Sequence, residues 1–199
     1  MPPLPAVMIA FEGSRCLGLG DPHLVATKTK QALEKNGAAQ FMIFDAATSR
    51  PAEIDLRGSL ADVQKRVARR MPVQADETTA ETAPRGPGRP KLGVVAREVT
   101  LLPRHWEWLS LQPGGASVAI RKLVEEARRA NAAKDRAREG QESLHRFMTA
   151  MAGDQPHYEE ALRALYAGEQ KRFETAVSRW PADVRDHVKR LAAVAFGAA

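Results

Sequence analysis

Val7-Met8-Ile9-Ala10-Phe11 is an unbroken apolar run, too short for a helix and the right length for a buried strand. Glu12-Gly13-Ser14 supplies a turn after it, and Arg15–Leu19 reads as the returning strand. Asp21-Pro22 joins an N-cap residue to a proline at the first helical position. The helix it starts should end at Asn36-Gly37, with Leu24, Val25 and Leu33 on one apolar face. The pattern then repeats. Gln40–Asp45 is apolar, Ala46–Pro51 holds a turn, and Glu53-Ile54-Asp55-Leu56 alternates as a half-exposed strand does. Ser59 caps a second helix whose Leu60, Val63 and Val67 fall at i, i+3 and i+7. The expectation is an α+β protein opening on a small ββαββα domain over residues 6–71.

Beyond residue 71 the large apolar residues stop, and Thr, Ala, Pro and Gly take over, so residues 72–93 read as a linker. Val94–Leu102 is a β-prone run that Pro103 stops. Arg104–Leu111 follows as a short helix with Trp106, Leu109 and Trp108 facing inward, and Pro113-Gly114-Gly115 breaks it. Ser117 is placed as the cap of a second helix whose apolar face is Ile120, Leu123, Val124 and Ala127. That helix continues through Asn131–Arg138 toward Ser143–Ala152, until Gly153-Asp154-Gln155-Pro156. Helices over 158–167, 169–179 and 182–196 complete the chain, with Leu162, Leu165, Tyr166, Phe173, Val177, Trp180, Val184, Val188 and Leu191 as core positions. The resulting division is a strand-helix-helix segment over 94–138 and a helical C-terminal region over 139–199.

Charge separates the middle from the rest. The chain carries 30 Lys and Arg against 24 Asp and Glu, a net of +6. Residues 85–138 hold 12 basic and 5 acidic residues, so this window is +7 and the remainder nets −1. A localised excess of this kind suits contact with phosphates.

The string Arg85-Gly86-Pro87-Gly88-Arg89-Pro90-Lys91 resembles the AT-hook, centred on Arg-Gly-Arg-Pro, with Pro87-Gly88 inserted. The resemblance implies that Arg85, Arg89 and Lys91 enter the minor groove or touch phosphates. The same string is also compatible with a solvated linker. Strand, helix, Gly-containing turn and Ser-capped helix over residues 94–130 resemble the ribbon-helix-helix DNA-binding fold. That resemblance implies a homodimer whose paired strands, Arg97 and Thr100 among them, enter the major groove. It also implies that Ser117 meets a phosphate through the helix start, with Arg104, Arg121 and Lys122 nearby. Arg97, Val99 and Leu101 share one strand face and Glu98, Thr100 and Leu102 the other. Neither face has the long polar residues that base readout uses, which favours backbone contact. Finally, RPKLGVVAREVTLLPRHWEWL, QPGGASVAIRKLVEEARR and WPADVRDHVKRLA resemble an uncharacterised bacterial family, a domain of unknown function. This implies a bacterial cytosolic protein and no particular mechanism.

Candidate catalytic chemistry is sparse. Cys16 lies in an apolar run, where a buried structural thiol is expected, and one cysteine makes no internal disulfide. Asp45, Glu53 and Asp55 read as a solvated strand edge, because no histidine joins them at ligand spacing. Five scattered histidines form no HExxH, and no CxxC, P-loop, GxSxG or dinucleotide fingerprint occurs. His105, between Arg104 and Trp106, is expected on the solvent side or as a cap. No run approaches 18 apolar residues, and no basic start leads into a long apolar stretch. The expectation is a soluble, cytoplasmic or nucleoid-associated DNA-binding homodimer, a transcriptional regulator or chromosome-associated protein, without cofactor, metal or enzymatic activity. The alternative is an adaptor or antitoxin-like protein whose C-terminal helices bind a protein partner. Light scattering, gel shift and substitution of the hook-like arginines separate the two.

Overall fold

A computed structural model describes residues 3–71, 95 and 97–197. The early apolar run forms β1 (Met8–Glu12), the central strand of an antiparallel sheet ordered β2-β1-β3. The flanking strands are β2 (Arg15–Gly20) and β3 (Phe41–Asp45). A central strand buries both faces, which is why the run shows no polar alternation. Met8 and Ala10 point into one core, Ile9 and Phe11 into another.

The Met8–Ala10 face is covered by α1 (Pro22–Lys35) and α2 (Leu60–Arg70), which contribute Val25, Ala26, Val63 and Val67. Both helices start as the sequence predicts. The Asp21 carboxylate accepts the N–H groups of His23 and Leu24 at 2.8 and 3.0 Å. Ser59 and Asp62 form a reciprocal capping box. The expected fourth strand does not form. Glu53–Leu56 is neither helix nor strand, and a single bridge from Phe44 to Pro51 is all that extends the pairing. Ile54 and Leu56 still pack on the core, so the alternation marks burial without a ladder. Arginine side chains of α2 do the ladder's work. Arg66 donates to the carbonyl of Asp55 and Arg70 to that of Glu53, satisfying backbone acceptors that a strand partner would otherwise take.

The Ile9–Phe11 face is covered from the far end of the sequence. α4 (Gly115–Ala152) supplies Leu144, Phe147 and Met148 to this core. α5 (Tyr158–Ala167), α6 (Gln170–Ala176) and α7 (Ala182–Ala195) add Leu165, Phe173, Val184 and Val188. The Phe147 ring centroid lies 5.5 Å from those of both Phe11 and Phe44. Trp180 is buried with its indole N–H donating to the Pro156 carbonyl at 2.9 Å. Residues 1–72 and 133–199 therefore make one compact unit, and residues 73–132 make another. Where the sequence pattern suggests a boundary at 138/139, α4 runs through without a break.

Two local features fix the first unit's geometry. The turn after β3 is held by the Asp45 carboxylate, which accepts the N–H groups of Ala47 and Thr48. The Ser143 hydroxyl donates to the Ala47 carbonyl at 2.7 Å and accepts that of buried Ser49 at 2.9 Å, tying the turn to α4. Gly140 is where α4 and α7 touch. A Cβ there would stand 2.8 Å from the backbone nitrogen of Ala195.

In the second unit, Arg97–Leu102 form neither helix nor strand. A lone β-prone segment has no ladder to join within one chain. α3 (Pro103–Ser110) begins at the expected proline. Gly114 and Gly115 then adopt φ of 84° and 72°, a left-handed pair that reverses the chain. α4 starts at once, so Ser117 lies inside its first turn instead of capping it. The two glycines supply the reversal that a capping serine was expected to mark.

Candidate nucleic-acid interface

Arg85, Arg89 and Lys91 of the hook-like string, with the whole linker over 72–93, lie outside the described residues. Arg97 and Thr100 are exposed in the stretch that precedes α3, and Arg104 is exposed in its first turn. Ser117, Arg121 and Lys122 are exposed on the first turns of α4. At about 100° per residue, Arg121, Lys122, Arg128 and Arg129 cluster on one side of that helix. Ile120, Leu123, Val124 and Ala127 occupy the opposite side.

The charges differ in how available they are. Glu125 lies in the middle of the basic side and accepts from Arg128 at 2.9 Å and Arg129 at 3.2 Å. The Arg128 hydrogen bond holds the Glu125 carboxyl below its usual range. Arg121 donates its Nε–H to the Ser117 carbonyl at 3.0 Å, which leaves the donors of its terminal nitrogens for other partners. Among the described residues, Arg97, Arg104, Arg121 and Lys122 form no ion pair. Four cations thus remain available to an outside anion.

The apolar side is equally open. Trp106 and Trp108, expected inward, are 43% and 49% exposed, and Leu123 and Val124 are 46% and 59% exposed. Of the α3 side chains only Leu109 is buried. Among the described residues, neither hydrophobic core takes a side chain from this unit. Leu109 of α3 and Ala119 of α4 are buried, and two short helical stretches can enclose little more than that.

Elsewhere the polar candidates have structural partners. The thiol of Cys16 is half-buried and burial pushes its pKa up, as expected of a structural cysteine. Asp55 is gripped by Arg57 at 2.9 and 3.0 Å, which holds its carboxyl far below the ordinary range. His105 is exposed, in line with the solvent-side placement. No group of three or more His, Cys, Asp or Glu among the described residues is arranged to hold a metal ion. No helix among them is long and apolar enough to cross a membrane. The sequence reading missed a second gathering of arginines, Arg50, Arg136, Arg146 and Arg190, around a cavity in the first unit. They come from three elements, so linear spacing carried no sign of them.

No curated protein and no solved structure matches the chain. A family model described as "Uncharacterized protein conserved in bacteria (DUF2239)" matches residues 7–192, from the first residue of the early apolar run into α7. The chain belongs to this uncharacterised bacterial family.

Proposed function

We propose that the chain is a dimeric DNA-binding protein, a regulator or chromosome-associated protein that holds duplex mainly by its phosphates. The observation that carries this reading is the two-sided character of the second unit. One side of α4 presents Arg121 and Lys122, free of ion pairs among the described residues, and the other leaves Leu123 and Val124 in solvent. A second copy would cover the apolar side, as in a ribbon-helix-helix dimer, with Arg97–Leu102 pairing across the two-fold axis. The basic side would then remain outside for DNA. Because Arg97–Leu102 offers few long polar side chains, affinity would come from phosphates and fall steeply with salt.

The adaptor reading has less support. It relies on the C-terminal helices, and their apolar stripe is already used against the sheet, with Leu165, Phe173, Val177, Val184 and Val188 fully buried.

Light scattering and gel shift test the proposal together. A dimer is expected, with mixed-sequence duplex bound at about 50 mM salt and affinity falling by orders of magnitude toward about 200 mM. Arg121→Ala with Lys122→Ala should weaken every duplex alike and reduce the salt slope by about two. A monomer, or no shift at low salt, overturns the reading.

A further inference from the structure

The first unit contains a cavity of about 790 Å³ between Val7 just before β1, the end of β2, the turn after β3, the second half of α4, and α7. Its size is that of a site for a small organic molecule. Arg50 reaches it from the turn, Arg136 and Arg146 from α4, and Arg190 from α7. Arg146 also donates to the Thr48 carbonyl, which fixes it against the turn. Among the described residues, the guanidinium groups of Arg50, Arg136 and Arg190 have no ion pair or hydrogen bond. Glu139 and Glu142 line the same cavity, so its ionised residues sum to +2.

His187 also lines this cavity, and it is 2% exposed. Its ring packs edge-on to Phe147 at 4.5 Å and lies 6.3 Å from Phe11. Both ring nitrogens are buried without a hydrogen-bond partner. Buried polar atoms are nearly always bonded, and an imidazole in an aromatic setting with neither nitrogen satisfied is costly. Val7, Leu19, Leu191 and Val194 make the remaining wall apolar. Cations gathered from three elements around one opening repel each other, and plain folding stability gives no reason to converge them. The fixed fork of arginine suits a carboxylate or phosphate, and the apolar wall suits the body that carries it.

We propose that this cavity is a binding site for a small organic dianion, a phosphate monoester or a dicarboxylate. Arg50, Arg136, Arg146 and Arg190 hold its charge, the unpartnered imidazole of His187 hydrogen-bonds it, and the apolar wall receives its carbon skeleton. The site is distinct from the second unit's basic helix and does not depend on DNA binding.

The test uses the full chain with phenyl phosphate, phthalate and inorganic phosphate, against benzyl alcohol and KCl at matched ionic strength. Thermal unfolding and calorimetry are the readouts. At least one organic dianion should raise the unfolding midpoint and bind with one site per chain, inorganic phosphate more weakly, the neutral alcohol not at all. A phenyl phosphate preference identifies a phosphoryl ligand and a phthalate preference a dicarboxylate. Arg50→Gln and Arg136→Gln change exposed side chains, so the unliganded midpoint should hold while binding weakens about tenfold or more. The His187 imidazole nitrogens should shift on saturation in a ¹⁵N spectrum. No dianion effect beyond that of KCl overturns the proposal, and so does undiminished binding by both arginine variants. Competition by a short duplex, with matching loss of duplex binding in those variants, would assign the arginines to nucleic acid and overturn it as well. Loss of DNA binding or of dimerisation elsewhere leaves these readouts untouched, so the two readings fail separately.

Discussion

His187 is pulled away from ordinary histidine behaviour by burial first and by Arg190 one turn along α7 second, so its pKa is pushed down from 6.5 to about 4. In the unfolded chain the ring binds a proton below about pH 6.5, whereas the native ring stays neutral to about pH 4. Stability should therefore be full above pH 6.5, fall as pH drops through this window, and level off below about 4. The loss should approach about 2–3 kcal/mol, since the ring borders an open cavity. The charged groups around it are Arg190 on its own helix, Glu139, Glu142, Arg136 and Arg146 on α4, and Arg50 on the turn. Urea unfolding at pH 7 and pH 4.5, with the imidazole titrated by NMR, checks the slope and its source. Gly140 gives a prediction of opposite sign to helix propensity. Alanine usually improves a helix interior by about 1 kcal/mol over glycine. Here its Cβ would meet the Ala195 backbone at 2.8 Å, so α4 and α7 must separate. Gly140→Ala should lower stability by about 1–3 kcal/mol, read from the thermal midpoint.

Single elements were legible where their own residues decide their environment. The caps at Asp21 and Ser59 were readable because a cap is a contact over three residues, and both form as expected. Glu53–Leu56 misleads for the complementary reason: alternation records which side chains are buried, not whether the backbone finds a ladder. The start of α4 misleads on a smaller scale, since two left-handed glycines begin the helix and Ser117 falls inside it. The first half of α4 leaves Leu123 and Val124 of its apolar side exposed among the described residues. If the proposed dimer forms through this side, Leu123→Glu with Val124→Glu should turn it into a monomer by light scattering. The same pair should leave the unfolding of the first unit within about 0.5 kcal/mol of the parent, because neither side chain joins its cores. Persistence of the dimer in that variant would place the contact elsewhere.

At the scale of the molecule, two distant stretches of sequence fold as one body. Ile9, Phe11 and Phe44 come from the first 45 residues, yet their partners Leu144, Phe147 and Val188 lie about a hundred or more residues later. Phe147→Ala should cost about 3–5 kcal/mol, as deletion of a fully buried aromatic does. Hydrogen exchange should show β1 and α7 losing protection together in that variant, as parts of one cooperative unit. Independent loss would divide the sheet from the helices.

Sequence alone determined the early strand to within a residue at each end, the capped helices after Asp21 and Ser59, the C-terminal core stripe apart from Tyr166, which is 54% exposed, the basic window and the tight Pro-Gly-Gly reversal. Each rests on neighbours within one or two turns, or on a count of charges, and neither needs to know where the chain goes next. Tertiary structure alone decided that the C-terminal helices cover the second face of the sheet. It also exposed Trp106 and Trp108, and brought Arg50, Arg136, Arg146, Arg190 and His187 around one cavity. Those outcomes depend on pairings across a hundred residues, for which hydrophobicity states only that a face must be buried and never against what.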